Sequence, residues 1–235
     1  AVAGAHGIDI RIGIPHARLW SADSPELYTC HVILRNQDGA MLDEVRVPFG
    51  IRMLTWGEEG LQVNGTTVKL RGGCVHHDNG ILGAMDLPQA SRRKVRMLKA
   101  WGFNAIRSAH NPLSQSMLNA CDEFGMYVLD EYADMWYRHK NPYDYASDFE
   151  ESHMADLTAM VYKDRNHPSV IMYSIGNENA EPHEELGVLT ARLLANTVRR
   201  LDPTRPVTAC VNAAILFAAG LGIDSFSGDG SDNNA

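Results

Sequence analysis

From Val68 to Asn212 the chain alternates short apolar runs with amphipathic stretches, and this alternation limits the fold more than any other feature. "VKLRGGCV" (68–75), "NAIRSA" (104–109), "YVLDEY" (127–132), "SVIMYSI" (169–175) and "PVTACVN" (206–212) read as strands. Between them lie stretches with helical spacing. Pro88 opens the first, which carries Val95, Leu98 and Trp101 and closes at Gly102. The second runs from Ser114 through Met117, Leu118, Cys121 and Phe124 to Gly125. Ser147 and Glu150 have capping-box spacing ahead of Met154, Leu157 and Val161. The fourth runs from about Pro182 to Leu201, with Leu186, Leu189, Leu193 and Val198 on its expected buried face. Strict βα alternation calls for a parallel sheet, because a parallel connection needs a crossover element.

Two α/β architectures have such a sheet. A doubly wound fold places a Gly-rich phosphate loop after its first strand. Here that position holds "HHDNGILGAMD", which contains no G-x-G-x-x-G. A (β/α)8 barrel gathers polar groups at the C-terminal ends of several strands. The sequence supplies them: His76-His77-Asp78, Arg107 to His110, Asp130-Glu131 and Asn177-Glu178. The reading is therefore α/β, a partial (β/α)8 TIM barrel of about the first five strands. A full barrel takes about 250 residues and eight strands, so the chain is expected to be an internal piece of a longer protein.

Residues 1–56 have a different texture. "IDIRIGIP", "ELYTCHVILRN" and "DGAMLDEVRVPFGIR" alternate with a period of two, as strands of part of an immunoglobulin-like β-sandwich would. Residues 57–235 are then the N-terminal part of the barrel. They open on "LQVNGTTVKL", where Asn64-Gly65 marks a tight hairpin, and end in the polar, loop-like "SFSGDGSDNNA".

Composition removes some functions. A net charge of −8 gives no basic field for nucleic acid or an anionic membrane. No apolar run approaches the length of a membrane-spanning helix, and the N-terminal stretch lacks a signal-peptide plan. Cys30, Cys74, Cys121 and Cys210 form no C-x-x-C pair and read as buried free thiols. His76, His77 and Asp78 suggest a metal cluster. However, neighbouring residues on a strand point to opposite faces, so no metal and no cofactor is expected, and His77 and Asp78 are placed on a pocket rim. Trp136 and Tyr143, on the loop after the third strand, either stack on a bound substrate or pack that loop onto the barrel. Asp164 to His167 precede the fourth strand, at the end of the barrel where residues serve stability.

Glu178 is the sharpest candidate for chemistry. A strand-end carboxylate beside an amide suits general acid/base work, although a carboxylate in that place could equally cap the next helix. Taken together, "DRNHPSVIMYSIGNE", "RGGCVHHDNGILGA", "LKAWGFNAIRSAHNP", "CDEFGMYVLDEYADMW" and "FGIR" resemble glycoside hydrolase family 2, over essentially the whole chain. The resemblance implies a retaining β-glycosidase acting on a carbohydrate. It makes Glu178 the acid/base and sets Asn177 against the sugar 2-hydroxyl. It places His110 and Arg107 in the pocket and makes Glu131 a pocket or supporting residue. Tyr173 stands where the family more often has Trp. The nucleophile implied is a second Glu on a later strand than these five, so the isolated chain is expected to be inactive. A β-galactosidase is favoured, from "HHDNGILGA" and "DMWYRHKNPYDY". The alternatives are a β-glucuronidase, a β-mannosidase or a non-catalytic carbohydrate-binding homologue. The full-length protein is expected to form homo-oligomers.

Overall fold

A computed structural model describes residue 7 and residues 9–224. Its centre is a parallel sheet of five strands: β6 (Gly72–Val75), β7 (Ala105–Ser108), β8 (Tyr127–Glu131), β9 (Val170–Asn177) and β10 (Val207–Cys210). They lie side by side in sequence order. A doubly wound sheet reverses direction at a switch point. Here there is no reversal, and successive strands step one way round, as in a barrel. β9 is buried along almost its whole length, which explains why its sequence is apolar at nearly every position.

Helices α1 (Pro88–Ala100), α2 (Gln115–Phe124), α3 (Ala146–Asp164) and α4 (Glu185–Leu201) cover one face of the sheet. Val95, Leu118, Cys121, Leu157, Val161 and Leu194 join Ile106, Val128, Val170 and Tyr173 of the strands in one core. α2 is bounded as its sequence predicts. The Ser114 side chain accepts from Met117 N–H at 3.2 Å, and Gly125 ends the helix in the left-handed region with φ of 73°. Gly125 is needed for space as well, since a Cβ there would lie 2.3 Å from the Ala22 carbonyl oxygen.

Several expectations are corrected. Trp101 lies just past the end of α1 and is 81% exposed. The Ser147–Glu150 capping box is not formed. α3 starts at Ala146, and the Asp144 carboxylate accepts the N–H groups of Lys140, Asn141 and Ala146 instead. On α4 the leucines Leu186, Leu189 and Leu193 are exposed, while Gly187, Thr190, Leu194, Thr197 and Val198 face inward. A helix α5 (Ala213–Gly220) follows β10, capped by Asn212, which accepts from Ala214 N–H at 3.0 Å. All four cysteines are free, but Cys121 alone is buried; Cys74 is exposed on the sheet's edge strand.

Ahead of the parallel sheet, β3 (Leu54–Gly57), β4 (Gly60–Val63) and β5 (Thr66–Thr67) form a small antiparallel sheet. Its turn holds Asn64 and Gly65 at φ of 54° and 78°, the two left-handed residues of a tight hairpin. The first strands, β1 (Tyr28–Arg35) and β2 (Met41–Phe49), pair antiparallel. The described part of "IDIRIGIP" forms no strand, and "SFSGDGSDNNA" lies outside the described residues.

The N-terminal segment grips the barrel at the amino ends of the strands. The Trp20 indole donates to the Asp122 carbonyl at 2.9 Å, and its ring meets Tyr127 edge-on. Arg52, from "FGIR", donates to the carbonyls of Pro168 and Val170. His167, expected to stabilise this end, pairs with Asp122 at 2.5 Å, while Arg165 lies over the Tyr162 ring.

Candidate active site

The opposite ends of the strands carry the polar groups. β9 ends at Asn177, and the backbone then turns sharply: Glu178 has φ of 47°, uncommon for a residue with a Cβ. Its N–H donates to the Cys210 carbonyl at 2.7 Å. Its carboxylate is half-buried, and Oε1 accepts from the Asn212 amide at 3.0 Å. Two residues before Glu178, Gly176 lets the loop pack closely, since a Cβ there would sit 2.1 Å from Asn179 Oδ1.

Asn177 is buried and held on both sides. Arg107 Nη2 donates to its Oδ1 at 2.6 Å, and its Nδ2 donates to Asp134 Oδ1 at 2.8 Å. Arginine can only donate and carboxylate can only accept, so the amide has one possible orientation. One amide hydrogen and one oxygen lone pair are left over for another partner.

Glu131, at the end of β8, is the hub beneath. Arg107 grips it with Nε at 3.0 Å and Nη2 at 2.8 Å, and His110 Nδ1 lies 2.6 Å from its other oxygen. Burial works against the Arg107 charge, but the hydrogen bonds and charge of Glu131 outweigh it and hold the guanidinium above its ordinary value. The Ala109–His110 peptide is cis, and the His110 ring meets His76 edge-on at 5.5 Å. A cavity of about 610 Å³ opens beside His110, with Tyr132, Asp134 and Tyr145 among its walls.

Thus Glu178, Asn177, Arg107, His110 and Glu131 are brought together, with Glu131 in a particular part. It has no exposed surface, so it supports Arg107 and His110 rather than contacting a bound molecule. Three other candidates are displaced. His77 turns outward under α1, where burial lowers its pKa despite a hydrogen bond to Asn111 that favours the charged ring. Asp78 also lies against α1; its carboxylate accepts from Gly80 N–H. β6 ends at Val75, so strand alternation does not extend to these residues, and His76 is the one that reaches the site. Trp136 is 1% exposed and has no free face for stacking. Its indole donates to the Ile175 carbonyl at 3.1 Å and its ring lies on Phe149. Tyr143 stands fully exposed.

Asn212, Asp134 and Lys140 also lie at the site and are absent from the sequence-based candidates, while His76 was read there only as a strand-end polar group. Asn212 obeys the same rule that found Glu178, a polar residue just past a strand. Lys140 gives no local signal. Among the described residues no three His, Cys, Asp or Glu side chains are placed to hold a metal ion.

The barrel segment matches the family model described as glycosyl hydrolases family 2, TIM barrel domain, over residues 56–228. Residues 2–52 match a second model of glycosyl hydrolases family 2. The β-galactosidase BoGH2A of Bacteroides ovatus is 36% identical over 86% of this chain and 27% of its own length. A β-glucuronidase of Chlorocebus aethiops is 32% identical over 90% of this chain and 33% of its own. The crystal structure of a family 2 member from Bacteroides cellulosilyticus superposes with a TM-score of 0.79 at 48% identity, covering 86% of this chain and 27% of that one. The chain thus spans about a quarter to a third of these relatives. With two consecutive family models matched along its length, the chain belongs to glycosyl hydrolase family 2.

Proposed function

We propose that this chain carries the acid/base half of a retaining β-glycosidase site. In this reading, residues 57–235 are the N-terminal part of the catalytic barrel and residues 1–56 part of an immunoglobulin-like sandwich. The observation that supports it is the setting of Glu178. A strand buried on both faces ends in a left-handed turn that fixes this carboxylate, with Asn212 on one oxygen. The other oxygen has no hydrogen-bond partner among the described residues and is the one to deliver a proton.

Glu178 protonates the leaving oxygen while a second carboxylate attacks the anomeric carbon. In a retaining enzyme the two carboxyl groups lie about 5–5.5 Å apart. Water then enters with Glu178 acting as base. Glu131 is excluded as the attacking group because it is buried and already bound by Arg107 and His110. The nucleophile belongs to a later strand. The free hydrogen and lone pair of Asn177 face a sugar hydroxyl, the 2-hydroxyl by the family's pattern. His110 and His76 shape the wall beside it. The substrate is a terminal β-linked sugar, with a β-galactoside ahead of a β-glucuronide or β-mannoside. Relatives named β-galactosidase and β-glucuronidase both match, so the sugar is a matter for assay.

The test is Glu178→Gln in the polypeptide that carries the whole barrel. General acid catalysis contributes about 10²–10⁴-fold, so alkyl glycosides should lose about that much. Dinitrophenyl glycosides, whose leaving group needs little protonation, should lose far less in the glycosylation step. Equal losses for both substrates in that step would remove Glu178 from the acid role.

A further inference from the structure

We propose that Lys140 is a positioning residue for Glu178. The proposal rests on the acid/base reading of Glu178 and adds to it a device that holds the carboxylate in aim. Lys140 lies on the loop between β8 and α3, and its side chain is 10% exposed. Its Nζ donates to the Asn177 carbonyl at 2.7 Å and to Asp134 Oδ1 at 2.6 Å.

The Asn177 carbonyl belongs to the peptide that leads into Glu178. The N–H of that same peptide donates to the Cys210 carbonyl at 2.7 Å. One peptide plane is therefore clamped at both ends, by a lysine on one side and by β10 on the other. Glu178 needs this clamp, because its left-handed backbone persists only where the surroundings impose it. Releasing the carbonyl frees the plane to rotate, and rotation swings the Glu178 side chain. Lys140 also neutralises Asp134, the carboxylate that orients the Asn177 amide.

The loop is built to deliver this lysine. Trp136 pins it to β9 through the Ile175 carbonyl. The Glu181 carboxylate, 1% exposed, accepts the N–H groups of Tyr137 and Arg138 at 2.9 and 2.8 Å. Asp144 accepts the Lys140 N–H itself at 2.7 Å. These anchors are independent of the Lys140 ammonium, so removing it leaves the loop in place.

The experiment compares Lys140→Met and Lys140→Arg with the parent enzyme, whole barrel present, on methyl and dinitrophenyl β-galactosides. A misplacement of about 1 Å costs about 10²-fold. Lys140→Met should therefore lower kcat on the methyl galactoside by about that factor, with KM little changed and a much smaller loss on the dinitrophenyl galactoside. Lys140→Arg, which keeps a donor, should recover most of the loss. If Lys140→Met does not fold, Lys140→Leu, which also lacks a donor, carries the same expectation. An unchanged kcat on the methyl galactoside, or an equal loss on both, overturns the proposal. Glu178→Gln run in parallel separates the two ideas. If it shows leaving-group dependence and the Lys140 variants do not, positioning alone fails. If it shows none, the acid/base reading fails.

Discussion

Removing the Arg107 guanidinium tests whether the polar hub is an energetic unit. In Arg107→Met, Glu131 would lose every N–H it accepts from Arg107 and keep the His110 ring and the Cys210 thiol. Glu131 has no exposed surface, whereas Arg107 is 23% exposed. Breaking a buried pair by deleting one partner costs about 3–5 kcal/mol, because the remaining charge is left without compensation. Water reaches the Arg107 side, which favours the lower end, about 3 kcal/mol. With a urea slope of about 1–3 kcal/mol per M, the midpoint of barrel unfolding should fall by about 1–3 M. Tryptophan fluorescence can follow this, since Trp20 and Trp136 are both buried. The decisive comparison adds Glu131→Gln. Alone it should also destabilise, because Arg107 loses its counter-charge. In the Arg107→Met background it should stabilise, since a neutral amide is cheaper to bury than a lone carboxylate. The coupling between the two sites should be about 2 kcal/mol, within the range for residues sharing one network. Additivity within about 0.5 kcal/mol would refute the hub.

Two further perturbations probe the frame around the site. Asp130 and Asp164 are both buried, and each has one carboxylate oxygen without a partner among the described residues. Burial first, then the neighbouring Asp130, pushes the Asp164 carboxyl up to about 9, against the pull of Lys163. An unfolded Asp releases its proton near pH ~4, so this group's contribution is complete below that and drains as pH rises toward about 9, by at most about 1.4 kcal/mol per pH unit. Asp164→Asn mimics the protonated acid. Its melting temperature relative to the parent should climb between pH ~5 and ~9, and a difference independent of pH would contradict the raised Asp164 carboxyl. At Gly187, a Cβ would lie 2.1 Å from the Glu181 backbone. Gly187→Ala should therefore cost about 1–3 kcal/mol of stability and lower kcat by displacing the Glu181 anchor of the Lys140 loop, whereas an unchanged melting curve would show that the close approach is not tight.

The parallel sheet was legible because its signals are local. A strand buried on both faces must be apolar throughout, as β9 is, and α2 states its own ends with Ser114 and Gly125. Glu178 was legible for a related reason, since a carboxylate directly after such a strand has nowhere to go but the open end. The misreadings occur where hydrophobicity and burial part company. On α4, Leu186, Leu189 and Leu193 have ideal spacing, yet the helix turns Gly187, Thr190 and Thr197 inward. Gly187 lets the helix come against the Glu181 turn, and that approach, not side-chain hydrophobicity, sets its rotation. His76 and His77 do part to opposite sides, but the one that reaches the site is His76, because the strand's phase is lost where β6 ends at Val75.

The loop between β8 and α3 was the least legible part, and it differs from the strand ends in kind. Trp136 and Lys140, and Glu181 beneath them, act largely on main-chain groups. Trp136 donates to the Ile175 carbonyl, Lys140 to the Asn177 carbonyl, and Glu181 accepts from the Tyr137 and Arg138 N–H groups. A backbone acceptor has no residue type, so no pairing pattern in the sequence announces such contacts. Their physical role follows from the same fact. A buried carbonyl near the end of a strand that lacks a ladder partner must be satisfied by something else. At Ile175 and Asn177 the loop supplies that partner, and with it a fixed orientation for the Glu178 peptide. The strand alone places a carboxylate at the mouth of the barrel; the loop decides which way it points.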